Sequence, residues 1–150
     1  MKNPPEGWPR ISSAVFYDEP AAAIDWLCRA FGFEVRLKVE GDAGRIEHSE
    51  LVYGEGVVMV AGTGEAGHRP TETYFKSPRS VGGANTQSLC VCVDDTDAHC
   101  ERARAAGAKI VHAPATQDYG GDYWSDRTYM AEDPEGHRWW FMQRVRDKSS

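Results

Sequence analysis

Apolar and polar positions follow a pattern that runs along the chain twice. Residues 11–17 join β-branched and aromatic side chains and close at Asp18-Glu19-Pro20, which predicts a strand and then a helix with proline in its first turn. Ser12, Ala14 and Phe16 share one face of that strand. Residues 21–31 place Ile24, Leu27, Cys28 and Phe31 at helical spacing and stop at Gly32, a helix C-cap, so the helix lays an apolar stripe on a sheet. Residues 33–38 and 45–53 alternate as strands around a turn at 41–44. The tight Gly54-Glu55-Gly56 connection then leads into a strand over 57–61. The order so far is β-α-β-β-β.

Residues 62–85 are rich in glycine and polar groups and predict a long connection, a lid or a linker, in which Tyr74-Phe75 covers something. The pattern then restarts. Residues 86–93 form a strand with Leu89, Val91 and Val93 on one face and Ser88, Cys90 and Cys92 on the other. A helix over 96–106 turns Cys100 and Ala103 inward and His99 to its polar side. A strand over 109–113, a loop over 114–125 and a strand over 126–131 follow. Asp133-Pro134-Glu135-Gly136 is a hairpin turn into a last apolar strand, where Trp139 and Trp140 must face opposite ways and Trp140 is assigned to the sheet's open face. An offset of 76 residues carries Ser12 onto Ser88, Asp18 onto Asp94, Ile24 onto Cys100 and Leu27 onto Ala103. Strand end and helix face align together, a structural repeat at low identity.

Composition narrows the class. A chain of 150 residues fits one domain and buries roughly 70% of its unfolded surface without staples. A net charge of −6 with scattered Lys and Arg provides no basic face for nucleic acid. No apolar run approaches the roughly 18 residues of a membrane span. The four cysteines sit in apolar periodic segments, and no hydrophobic signal segment precedes Trp8, which predicts reduced thiols and a cytoplasmic location. The first ten residues read as an irregular arm whose Trp8 packs on the domain edge.

Three stretches carry a family likeness: Phe16-Tyr17-Asp18-Glu19-Pro20 with Ala23-Ile24-Asp25-Trp26-Leu27 and Phe31-Gly32-Phe33; Val93-Asp94-Asp95 with Ala105-Ala106-Gly107-Ala108; and Tyr123-Trp124-Ser125-Asp126-Arg127 with Asp133-Pro134-Glu135-Gly136-His137-Arg138-Trp139. Together they resemble the vicinal oxygen chelate superfamily of glyoxalase I, extradiol dioxygenases, fosfomycin-resistance enzymes and bleomycin-resistance binding proteins. The resemblance implies an α+β fold of two βαβββ modules, about 10–62 and 86–144 with linker 62–85, that form a cupped mixed sheet. It also implies a homodimer with a small-molecule ligand in the cup. The family's metal enzymes place their ligands at four equivalent points, which fall here on Ser12, Met59 (or Val60), Ser88 and Trp140. None is a histidine or a carboxylate, so neither metal nor other cofactor is expected.

His48 and Glu50, two apart on a strand, share a face directed into the cup and are candidates for proton transfer or ligand anchoring. Phe16, Met59, Trp124, Arg127 and Trp140, with the loop residues Tyr74, Phe75, Tyr119 and Tyr123, make an aromatic pocket with one cation, suited to a flat ligand. Cys90 and Cys92 are read as small apolar fillers, His68, His99 and His137 as solvated, and His112 as the one further histidine with a candidate role. The leading expectation is a metal-free binding protein of the bleomycin-resistance type. The alternative is a lyase, isomerase or dioxygenase of the same family that uses His48 and Glu50 as acid and base or as divergent metal ligands.

Overall fold

The computed structural model describes residues 1–67 and 73–148; His68 lies outside them. Its elements are β1 (Ser13–Tyr17), α1 (Pro20–Phe31), β2 (Glu34–Glu40), β3 (Ile46–Tyr53), β4 (Gly56–Gly62), β5 (Leu89–Cys92), α2 (Thr96–Ala105), β6 (Lys109–Asp118), β7 (Ser125–Glu132) and β8 (Arg138–Arg146). Two four-stranded sheets result, ordered β1-β4-β3-β2 and β5-β8-β7-β6, with β1 parallel to β4 and β5 parallel to β8. The same topology appears twice, as the 76-residue offset requires.

The two sheets press their helix-bearing sides into one core. Phe31, at the end of α1, meets Phe141 at 4.7 Å and Trp139 at 5.6 Å on β8 of the other sheet, and all three are buried. Polar contacts follow the same seam. The α1 helix ends at Gly32 in the left-handed region, φ 79°, which a glycine adopts without penalty. Carbonyls of its last turn accept bonds from the second module, in addition to the one that the Gly32 N–H gives to Cys28. Arg102 donates to Cys28 and Arg29, His99 donates to Phe31, and Trp26 Nε1 donates to Ala106.

The N-terminus of α1 is served from across the seam as well. Glu19 gives it no side-chain cap; instead the buried Glu135 carboxylate accepts from the backbone N–H of Asp18 (2.7 Å) and Glu19 (2.9 Å). An anion at that end of a helix meets both unpaired donors and the positive end of the dipole. Glu135 is aimed by its turn. Asp133 Oδ1 takes the backbone N–H of Glu135 and His137, and Gly136 sits at φ 92°, where an added Cβ would press on Pro78. His137 is consequently half-buried and bonded to the Phe16 carbonyl at 2.7 Å, not solvated as its turn position suggested.

Four further expectations change. The strand expected over 86–93 keeps only Leu89–Cys92. Strand β6 runs on to Asp118 through the segment read as loop, because Pro114 falls in a register shift between His112 and Ala115 on an edge strand. There its missing N–H costs no ladder bond. Cys90 and Cys92, expected as small apolar fillers on the open face, are exposed there. His99 is 8% exposed and lies in the core, since Thr96, His99, Cys100 and Ala103 form the buried stripe of α2.

The position of His99 makes stability depend on pH. A carbonyl only accepts, so Nε2 donates to Phe31 and Nδ1 accepts from the Tyr129 hydroxyl at 2.6 Å. A second proton would place charge among Phe31, Phe141 and Tyr129 and leave that hydroxyl facing a donor. Burial accordingly pushes the imidazole below its ordinary 6.5. A depressed histidine binds fewer protons folded than unfolded, so its contribution is complete above 6.5 and lost as pH falls from there through the folded value. The urea midpoint should drop between pH 7 and 5, and His99→Gln should flatten that slope.

Candidate functional site

Opposite the core, each sheet has an open face. On the first sheet the register sets Phe16 beside Ala61, Ala14 beside Met59, Val39 beside His48 and Leu37 beside Glu50. His48 Nε2 lies 2.9 Å from Glu50 Oε1. The other Glu50 oxygen is held by Arg36 Nε at 3.0 Å. Regular alternation would turn Arg36 away from Glu50, but a register shift between Val35 and Leu37 re-aims it. The Arg36 guanidinium is itself fixed, lying 5.1 Å over the Trp8 ring and donating to the Gly7 carbonyl. The N-terminal arm therefore packs on the edge strand β2, against this cluster. Glu50's side chain is 8% exposed and that of His48 43%, a buried carboxylate behind an accessible imidazole. At the far side Phe16 stacks on Phe75 of the 62–85 connection at 3.9 Å, and Tyr74 meets Phe75 edge-on.

The open face of the second sheet is aromatic and sulfur-rich. One cross-strand row is Cys90, Trp140, Met130 and His112; the next is Cys92, Met142, Thr128 and Ala115. Trp140 is half-buried, and His112 stacks parallel to it at 5.6 Å. Beyond them Arg144, paired with Asp126, lies 5.1 Å over Trp124, which Tyr119 and Tyr123 flank at about 6 Å. Although Cys90 is exposed at the surface, partial desolvation by its neighbours, and then Cys92 and Asp126, push its thiol up, so it stays protonated near neutral pH.

The candidate residues thus fall into two groups. Phe16, His48, Glu50 and Met59 lie on the first face, and Trp140 and Trp124 on or beside the second. Arg127 joins neither. It lies on the core-side parity of β7 and makes a two-point ion pair with Asp97 of α2, at 2.6 and 2.8 Å, so the cation beside Trp124 is Arg144. Sequence reading missed Arg36, because a bulge leaves no signature, and Arg144, because it sits two residues past the apolar run.

A metal of the family's kind does not fit here. Ser12, Met59, Ser88 and Trp140 offer two hydroxyls, a thioether and an indole, a poor donor set for a divalent cation. Among the described residues no group of three or more His, Cys, Asp or Glu is placed to hold a metal. His48 and Glu50 make no substitute set, since Arg36 already occupies the second Glu50 oxygen and His112 belongs to the other sheet.

A sequence profile of the Glyoxalase/Bleomycin resistance protein/Dioxygenase superfamily matches residues 10–141. An uncharacterized protein of Mycobacterium bovis is 33% identical over 141 residues, covering 93% of this chain and 86% of the relative. The crystal structure of TioX from Micromonospora sp. ML1 superposes with a TM-score of 0.67 at 35% identity, covering 91% of this chain and 100% of that one. TnmS3, an antibiotic binding protein from Streptomyces sp. CB03234, shares the fold at a TM-score of 0.62 and 18% identity, with 91% and 97% covered.

Proposed function

We propose that this chain, which belongs to the Glyoxalase/Bleomycin resistance protein/Dioxygenase superfamily, is a metal-free binding protein for a planar aromatic small molecule. The observation that carries this reading is the half-buried Trp140, stacked with His112 on an open face that continues through Met130 and Met142 to the Trp124–Arg144 pair. Flat rings stack on such a surface, and thioethers adapt to their outline. The fold serves antibiotic binding in TnmS3.

A homodimer completes the proposal, with the first face of one copy closing over the second face of its partner. In its favour, β1 and β5 each end a sheet, with no strand paired to the outer edge among the described residues, and a cleft of about 1000 Å³ runs beside β5, lined by Ser12, Tyr53, Val58, Cys90 and Cys92. Light scattering should return twice the chain mass. The four free thiols suit the cytoplasm, where we place the protein. Among the described residues no helix is long and apolar enough to cross a membrane.

Thermal denaturation with a panel of planar heteroaromatics and a panel of divalent metals tests the reading. A ligand at about 100 times its Kd should stabilise the fold by about 2.7 kcal/mol. Stabilisation by a metal and by no aromatic compound would overturn it. The His48–Glu50 contact favours a second reading, a lyase or isomerase with this pair as acid and base. Turnover of any substrate that survives in both His48→Ala and Glu50→Gln removes that alternative.

A further inference from the structure

We propose that the Arg36–Glu50–His48 line is a hydrogen-bond-accepting anchor that selects aromatic ligands bearing a phenolic hydroxyl, with His48 Nδ1 as the acceptor. The proposal rests on reading the open faces as the ligand site and names the chemistry that the first face adds.

An ionised Glu50 has no proton to give, so the ring nitrogen 2.9 Å from it, Nε2, carries the hydrogen. In neutral His48 the remaining nitrogen, Nδ1, then presents a lone pair and no hydrogen. This tautomer is held from behind. Arg36 Nε fixes the second Glu50 oxygen, and Trp8 and Gly7 fix Arg36. Glu50 is 8% exposed at its side chain, so water competes poorly for it, whereas His48 remains accessible.

The surroundings set the rest of the ligand. Leu37 and Val39, each 42% exposed, flank the pair on β2, and Ala61 with Phe16 continues the surface across the sheet. Ser49, between His48 and Glu50, bonds through its hydroxyl to both the N–H and the carbonyl of Val60, which keeps β3 and β4 in register there. An apolar floor with one acceptor fits a flat ring carrying one donor. A ligand carboxylate gains nothing here: the nearby cation Arg36 is already paired with Glu50, and an ionised carboxylate has no hydrogen to give Nδ1. The bound phenol keeps its proton and shares it with Nδ1, so no further reactant is required.

The test compares 2-naphthol, which donates, with 2-methoxynaphthalene, which does not, by calorimetric titration at pH 7.5 of wild type and of His48→Phe, where an exposed residue is exchanged. The ratio of the two affinities should fall about tenfold in the variant, the size of one net hydrogen bond, with 2-methoxynaphthalene binding within about twofold of wild type. In wild type the His48 Nδ1 resonance should move on adding 2-naphthol and stay in place with 2-methoxynaphthalene. An unchanged affinity ratio, or an unmoved Nδ1 signal, overturns the anchor and leaves the aromatic reading standing. Failure of both naphthalenes to bind wild type overturns both.

Discussion

Asp133→Ala is expected to cost roughly 3–5 kcal/mol of unfolding free energy. Asp133 is 5% exposed and accepts four hydrogen bonds: from the Tyr17 hydroxyl at 2.6 Å, from Trp139 Nε1 at 3.1 Å, and from the backbone N–H of Glu135 and His137 at 3.0 Å. Alanine leaves all four donors in a site that water enters poorly. Tyr17 is buried, and burial together with the Asp133 charge holds its phenol well above 10, so it stays a donor at every working pH. The turn that aims Glu135 at the start of α1 would loosen too, coupling the loss to the other module. Against a total stability of about 5–15 kcal/mol, this is enough to unfold much of the protein on mild heating. Urea denaturation should show a large fall in midpoint at unchanged slope. Asp133→Asn, which retains one oxygen for the two backbone donors, should lose less than half as much. Equal losses in both variants would mean that the negative charge, and not the four acceptor contacts, is what matters.

The two neighbouring tryptophans should behave oppositely. Trp139 is 1% exposed and touches Phe31 and Phe33 in the core, so Trp139→Ala leaves a cavity and removes one of the two donors to Asp133 Oδ2, costing about 3–5 kcal/mol. Trp140 points to the open face, and Trp140→Ala should cost about 1 kcal/mol of stability while weakening a planar aromatic ligand about tenfold. Urea midpoints and ligand titrations on the same two variants provide the check. A ligand affinity unmoved in Trp140→Ala would remove the second face from the binding site.

Much of the architecture was legible in periodicity, since each strand and helix buries one face against a common core. The alternation that separates Trp139 from Trp140, the stripe of α1 and the C-cap at Gly32 all follow from local geometry. Where sequence reading failed, a local rule met a non-local partner. His99 occupies a core position at proper spacing with Thr96, Cys100 and Ala103, yet its polar type suggested solvent, because its partners Tyr129 and Phe31 lie 30 and 68 residues away. Arg127 reads as a neighbour of Trp124 and Trp140, although it shares strand parity with the core side and finds Asp97 there. Pro114 reads as a strand stop unless the strand is known to be an edge. Glu135 reads as a turn residue, and only the fold brings it to α1. In the candidate site His48 and Glu50 were visible as a same-face pair, while Arg36, which holds the tautomer, depends on a bulge that no pattern announces.

The most direct test of the binding account is a titration of the protein with planar heteroaromatic compounds, followed through its five indole N–H resonances. A bound compound should shift the signals of Trp140 and Trp124, while the signal of Trp139, hydrogen-bonded to Asp133 inside the core, stays in place. Indole signals that ignore every aromatic compound yet move with one equivalent of a divalent metal would contradict it.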